Sequence, residues 1–499
     1  MRQLSPLDAV FLNIESGCVV GHVGGLAIFD PSDLPSGRMS VDDVRSLIAE
    51  RLHLLAPFRW RLVPMPLGLD YPYWIEAPEF DLEFHVREIA LPSPGSDRQL
   101  AEQVSRIAAR PLDRSRPLWE LYVIDGLESG NVAWLSKIHH AAVDGMSGAE
   151  ILGTLMDTSP EGREIPDAPR DWKPERAPAQ LELLARGLLG MAAQPMRALR
   201  SVPRTLPSLK ELPGASSVPG LGAATALARR GARLAGIGSE EGSVIERPRM
   251  SAPRISLNGA VTPHRRFAFA SLPLDDVKAV KTAFGATVND VVMAICAAAL
   301  RRWLIDHDEL PADPLLAAIP VSVRTPEQVG TYGNRVSVII APLPTHLPDP
   351  RERLEAVHEE MRSAKEQHQA LPASLLQDYT QFIPSALAAR ASRAALRLAT
   401  SQRVVPIYNV LISNVPGPQH PLYSAGARLV ANYPVSAVSD GAGLNITVLS
   451  YCGHLDFGLI ACREMVPDLW NLMAYLGEGL EELKALVPQE AAKRDSGRD

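Results

Sequence analysis

His139 and His140 stand side by side, with Asp144 four residues beyond the second histidine and Gly145 directly after it. An imidazole titrates near neutrality, so it can take a proton from a hydroxyl and return it to a leaving group. A histidine held at the edge of a cavity is therefore a general base. Asp144 and Gly145 can fix the turn beneath such a histidine, because a short carboxylate and a glycine both suit a sharp bend. Taken singly these features are ordinary, since paired histidines are usually satisfied and Asp-Gly is usually only a turn. Their conjunction at one point of the chain indicates chemistry.

The elements that must position the pair are legible on either side. Val132, Trp134 and Ile138 fall on one face at the two-residue period of a strand, which predicts a strand over Val132 to His139. Beyond the pair, Met146, Ala149, Ile151, Leu152, Leu155 and Met156 recur at helical spacing, so Asp144-Gly145 marks a strand-to-helix turn. Further segments carry structural signals. Thr287-Val288-Asn289-Asp290 is a capping-box pattern, in which Thr287 caps a helix and Asp290 returns the hydrogen bond. Pro117-Leu118-Trp119 reads as a turn entering a strand, with Trp119 in the core. Ser413-Asn414-Val415-Pro416-Gly417-Pro418 reads as a strand ended by a rigid turn, in which Gly417 is expected to permit a strained backbone angle. No glycine-rich phosphate loop and no Gly-x-Ser-x-Gly elbow occurs, which argues against nucleotide or serine-hydrolase chemistry.

His139-His140-Ala141-Ala142-Val143-Asp144-Gly145 resembles the His-His-x-x-x-Asp-Gly motif of the CoA-dependent acyltransferase superfamily. That superfamily includes chloramphenicol acetyltransferase, peptide-synthetase condensation domains and the bacterial wax ester synthase/diacylglycerol acyltransferases. Leu4 to Phe11, Pro117-Leu118-Trp119-Glu120, Asn289-Asp290 and the segment from Ser413 to Pro418 together resemble the last of these families, in that order over nearly the whole chain.

The resemblance implies an α/β protein of two chloramphenicol-acetyltransferase-like subdomains with an active-site channel between them. It implies acyl-CoA as co-substrate with no permanently bound cofactor and no metal. It further implies an acyl group moved from CoA to the hydroxyl of diacylglycerol or a long-chain alcohol. His140 takes the role of general base, because it is the histidine that the superfamily uses at this spacing from Asp144. His139 is expected to orient the loop and Asp144 to hold it through an arginine. The family needs the Asn289-Asp290 pair for activity, and Asn289 is a candidate donor to the oxyanion. Pro117, Leu118, Trp119, Gly145, Asp290, Asn414, Pro416 and Gly417 are expected to be structural. A condensation-type transferase and a non-enzymatic lipid-binding protein are the alternatives.

A chain of 499 residues exceeds one core. Patterning places an N-terminal subdomain at 1–158, a crossover rich in proline, glycine and arginine at 159–263, a C-terminal subdomain at 264–488 and a polar tail at 489–499. The net charge of −7 gives no reason to expect nucleic acid. The cysteines, Cys18, Cys296, Cys452 and Cys462, form no metal-ligand spacing. Asp8, Asn13 and Glu15 interrupt any signal-peptide core, and the apolar run from Val291 to Leu300 is half the length of a membrane span. A cytoplasmic or peripheral protein is expected. From Leu181 to Leu234 the crossover is locally cationic, with Arg186, Arg197, Arg200, Arg204, Lys210, Arg229, Arg230 and Arg233 opposed by Glu182 and Glu211. Together with its leucines this reads either as an amphipathic helix on a membrane or lipid-droplet surface, or as a helix packed on the protein with its arginines in solvent.

Overall fold

The computed structural model describes residues 1–77, 80–143, 151–168, 176, 178–187, 251–322, 336–369, 400 and 405–487. Among these residues the strands form three sheets. The N-terminal sheet has the order β12 (Tyr423–Ser424), β13 (Ala427–Val435), β2 (His22–Asp30), β7 (Val132–His139), β6 (Trp119–Asp125) and β5 (Val86–Ala90). The C-terminal sheet has the order β10 (Val336–Leu343), β9 (Leu315–Ser322), β11 (Val410–Val415), β14 (Leu444–Tyr451), β15 (His454–Cys462) and β8 (Arg265–Pro273). A small third sheet pairs β1 (Arg2–Gln3), β4 (Tyr73–Glu76) and β3 (Trp60–Val63). The helices that matter for the site are α1 (Pro6–Ile14), α2 (Val41–Arg51), α3 (Ala56–Arg59), α4 (Leu82–His85), α5 (Asp97–Ala108), α6 (Leu274–Phe284), α7 (Val288–Asp306), α8 (Pro350–Gln369) and α9 (Leu469–Lys484). This is the expected mixed α/β architecture with two sheet-rich halves.

The strand expected to carry the histidines runs from Val132 to His139. Its two faces serve two cores, because successive side chains point to opposite sides. Val132 and Trp134 enter a core beneath α2, while Ala133 and Leu135 enter a core shared with the other half. That shared core joins Val104 and Ile107 of α5 to Phe267 and Phe269 of β8 and Ile460 of β15. Full burial of each such side chain contributes about 1.5–3 kcal/mol, which makes the seam a stabilising interface between the halves.

The C-terminal half also donates strands to the N-terminal sheet. β13 pairs antiparallel with β2, from Arg428↔Asp30 to Val435↔Gly24, with a bulge between Leu429 and Ala431. The Asn432 N–H donates to Asp456 Oδ2 on β15 at 2.8 Å. A Cβ on Gly458 of β15 would lie 1.9 Å from the Pro434 carbonyl oxygen, so backbones of the two sheets touch there.

Some boundaries differ from expectation for local reasons. The helix expected over Val41 to Leu55 ends at Arg51 and tightens into a 3₁₀ turn over Leu52–Leu54. The strand expected from Val405 starts at Val410, because the buried Asn409 amide, rather than a longer ladder, satisfies Leu316 N–H at 2.8 Å and the Pro253 carbonyl at 2.6 Å. The hairpin expected across Cys452-Gly453-His454 is a two-residue turn at Cys452 and Gly453, both with positive φ, closing on the pair Tyr451↔His454.

Most of the crossover lies outside the described residues. Its described part includes a helical stretch over residues 180–187, where Leu183 packs with Val63 and Ile75 of the small sheet and with Met65 just beyond β3. Among the described residues no single helix is long and apolar enough to cross a membrane. The bent pair α6–α7, turned through 103°, has the length and composition, but one face of α6 and most of α7 are buried in the C-terminal core.

Candidate active site

β7 ends beside β2, with His139 directly opposite His22. His139 is fully buried. Its Nδ1 accepts the Ala141 N–H at 3.0 Å, so in the neutral ring the proton sits on Nε2. That atom lies 3.1 Å from Glu15 Oε1, at charge-pair distance without the alignment of a full hydrogen bond. Glu15 caps the C-terminal end of α1. Its carboxylate also accepts the Gly21 N–H at 2.8 Å and two nitrogens of Arg114 at 2.5 and 3.2 Å. Burial pushes the Glu15 carboxyl up, but His139, Arg114 and the Gly21 N–H outweigh it and hold the group at about 2.

His140 continues the chain out of the strand. Its N–H donates to the Gly21 carbonyl at 2.8 Å, and its half-buried ring stacks on Phe11 of α1 at 4.1 Å and 5°. Gly21 has no room for a side chain, since a Cβ there would lie 2.8 Å from the Phe11 carbonyl oxygen and 2.9 Å from His139 Nε2. His22 is committed elsewhere: Nε2 donates to the Ala108 carbonyl at 2.8 Å, and burial, aided by the Lys137 charge, drives the ring down to about 3. Beneath it Lys137 is buried, 3.3 Å from Glu120 and 2.8 Å from the Arg110 carbonyl. The histidine pair thus divides: His139 is built into the scaffold and His140 is presented by it.

The Pro117-Leu118-Trp119 segment anchors the same strand. The Leu118 carbonyl accepts the His139 N–H at 2.9 Å, and Trp119 pairs with Ile138. The Trp119 indole N–H donates to the Phe58 carbonyl at 2.8 Å, and its ring stacks on Phe58 of α3 and on His85 of α4 at 4.2 and 4.5 Å. Pro117 bridges Arg61 of β3. Leu118 and Trp119 are buried, and Trp119 opens β6 directly after the Pro117-Leu118 turn.

In the C-terminal half, Thr287 and Asp290 form the expected capping box of α7. Asp290 is buried and also takes a partner that the sequence left unseen, His358 of α8, at 2.8 Å. Asn289 and Asn414 come together: Asn414 Nδ2 donates to Asn289 Oδ1 at 3.4 Å. The expectation for Gly417 is corrected. Its φ is not in the left-handed region; glycine is required because a Cβ would lie 2.2 Å from the Ser450 carbonyl oxygen. Flanked by Pro416 and Pro418, its N–H donates to Ser450 Oγ at 3.1 Å. Asp144 and Gly145 lie outside the described residues.

Sequence reasoning missed Phe11, Glu15, Gly21, Arg114 and His358. Glu15 had one available signal. An acidic residue at a helix C-terminus opposes the helix dipole, so a carboxylate there implies cationic or N–H partners from elsewhere. Among the described residues no group of three or more His, Cys, Asp or Glu side chains could hold a metal ion.

Two sheet-rich halves sharing a seam, with the histidine strand at the centre of one sheet, define the condensation-domain type of acyltransferase fold. The first condensation domain of the CDA synthetase superposes with a TM-score of 0.54 at 16% identity, over 98% of this chain and 96% of that one. At that identity the likeness shows the fold alone. The wax ester synthase/diacylglycerol acyltransferase from Marinobacter aquaeolei VT8 superposes with a TM-score of 0.67 at 32% identity, over 98% of this chain and all of that one. A model of the wax ester synthase/diacylglycerol acyltransferase catalytic domain matches residues 4–292, and a model of the C-terminal domain of that family matches residues 332–484. Two Mycobacterium tuberculosis proteins curated under diacylglycerol O-acyltransferase names are 36% and 39% identical, each over 97% of this chain and over 90% and 100% of their own lengths. The chain belongs to the wax ester synthase/diacylglycerol acyltransferase family and is an acyltransferase.

Proposed function

We propose that this acyltransferase moves a long-chain acyl group from CoA to the hydroxyl of diacylglycerol, giving triacylglycerol, and accepts a long-chain alcohol at the same site, giving a wax ester. The observation that carries the reading is the division of labour among the histidines. His22 and His139 are tied to backbone groups, while Phe11 and Gly21 hold His140 at the end of its strand. His140 takes the proton from the acceptor hydroxyl as that oxygen attacks the thioester carbonyl. The C–O bond forms, the tetrahedral intermediate collapses with loss of the C–S bond, and the imidazolium returns its proton to the departing CoA thiolate. The loop-holding role of the motif is assigned to Asp144, with Gly145 after it. Asn289 is the candidate donor to the oxyanion, and its carbonyl end is already fixed by Asn414, which leaves the amide NH₂ as the donating end. No acyl-enzyme is required.

We further propose three segments, with subdomains at 1–158 and 264–488 joined by a crossover at 159–263, and peripheral contact of the cytoplasmic protein with the inner membrane or lipid droplets. The cationic composition of the crossover supports that contact. So do Leu67 and Leu181, 86% and 80% exposed on or beside the small sheet against which residues 180–187 pack. The test is incubation of the purified protein with palmitoyl-CoA and a panel of acceptors, with products identified by mass spectrometry. Triacylglycerol from diacylglycerol is expected. A folded protein that transfers acyl groups to no hydroxyl acceptor would overturn the proposal.

A further inference from the structure

We infer that Glu15 is a positioning residue of the site, whose carboxylate keeps His139 in the one tautomer that lets the Ala141 N–H dock on Nδ1 and thereby fixes the backbone on both sides of His140. The inference rests on the reading of His140 as the base. A neutral imidazole carries one proton, and the two ring nitrogens of His139 face opposite demands. Nδ1 lies 3.0 Å from the Ala141 N–H and must be unprotonated to accept it. Nε2 must then carry the proton inside a buried site, and Glu15 Oε1 is the compensating anion 3.1 Å away. Without the carboxylate, a buried N–H loses its compensating charge. The ring can relieve that cost by moving its proton to Nδ1, which sets two donors against each other at the Ala141 peptide.

Ala141 is the residue after His140, so this conflict displaces the chain that the base depends on. Glu15 reaches His140 by two further paths. The Gly21 N–H donates to Glu15 while the Gly21 carbonyl accepts the His140 N–H, so one residue ties the carboxylate to the base's backbone. Four residues before Glu15 on the same helix, Phe11 supplies the face on which the His140 ring stacks. Arg114 holds the carboxylate and the helix end together, donating to Glu15 and to the Leu12 carbonyl at 2.7 Å.

The full-length protein is compared as wild type, Glu15→Ala, Glu15→Gln and His140→Ala, by steady-state transfer from palmitoyl-CoA and by nitrogen NMR of ¹⁵N-histidine-labelled protein. The wild-type His139 ring is expected to be protonated on Nε2 and bare on Nδ1. Misplacement of a reacting group by a fraction of an ångström slows the chemical step rather than binding, so Glu15→Ala should lower kcat about tenfold or more with KM for palmitoyl-CoA changed less than about twofold. Glu15→Gln, whose amide oxygen still accepts, should stay within about threefold of wild-type kcat. Wild-type kcat in Glu15→Ala alongside an inactive His140→Ala would overturn the inference, as would a wild-type His139 protonated on Nδ1. Full turnover in His140→Ala would instead remove the reading of the base, while the NMR result would still decide the tautomer.

Discussion

At the scale of residues, the buried charges around the histidines make the site sensitive to acid. Glu15 sits at about 2 in the folded protein against 4.5 for an ordinary glutamate. A carboxyl with a depressed folded value contributes stability that is fully present above its unfolded value and is lost as pH falls toward the folded one. The Glu15 contribution, on the order of 3 kcal/mol, should therefore disappear between about pH 4.5 and pH 2. His22 works in the same direction over a higher window, since its ring is held at about 3 and the unfolded chain gains its proton first. Urea unfolding at stepped pH should show wild-type stability falling toward that of Glu15→Gln below about pH 4.5. A gap between the two proteins that stays constant from neutral pH to the acid limit would show that Glu15 is not held as an anion by its neighbours. These residues were hard to read because each is ordinary in isolation. His139-His140 was legible from spacing, but Glu15 and Arg114, 99 residues apart, meet only in the fold.

Among elements, the site depends on what packs around the histidine strand and the described helical residues after it. The helical stretch over residues 151–155 that follows the histidine motif is tied down at its end by Asp157, which pairs with the buried Arg51 of α2 at 2.6 Å. Both side chains are nearly inaccessible, at 3% and 5%. Arg51 also donates to the Thr154 carbonyl at 3.1 Å, and Asp157 exchanges backbone hydrogen bonds with Tyr423 of β12. Removing one partner of a buried pair leaves the other charge uncompensated, so Arg51→Ala should destabilise the protein by about 3 kcal/mol or more, read as a lowered urea midpoint. An unchanged midpoint would mean that Arg163, 3.6 Å from the same carboxylate, takes over the pairing.

The elements that sequence patterning revealed are those with an unbroken period. β7 sets Val132, Trp134 and Ile138 on one face at the two-residue period, and α7 announces itself through Thr287 and Asp290. β13 does not, because the bulge between Leu429 and Ala431 breaks the two-residue alternation and Pro434 interrupts it again. β1, β3 and β4 are two to four residues long, too short for any period to register. α8 is so rich in charged residues that its apolar stripe of Leu354, Val357 and Met361 is easily overlooked.

For the whole molecule, the family architecture was legible in four motifs spread along the chain, but the way the halves interlock was not. β13 belongs by sequence to the second half and by hydrogen bonding to the first, and no local pattern can report that exchange. The membrane contact belongs to this scale as well. Basic residues near an anionic surface each contribute about 1 kcal/mol, screened by salt, so sedimentation with anionic liposomes should weaken as ionic strength rises. Replacing Arg197, Arg200 and Arg204 with Ala should reduce sedimentation and transfer to dispersed diacylglycerol, while transfer to a short soluble alcohol persists. Unchanged sedimentation of the triple variant would assign the surface contact elsewhere.

The central claim is that His140, presented by β7 and stacked on Phe11, is the general base of acyl transfer. The measurement that tests it most directly is the single-turnover rate of acyl transfer from palmitoyl-CoA to diacylglycerol in folded His140→Ala beside His139→Ala and wild type. Loss of a positioned base predicts a rate lowered by roughly 100-fold or more in His140→Ala, with a smaller loss in His139→Ala. A folded His140→Ala protein that transfers at close to the wild-type rate would contradict the account.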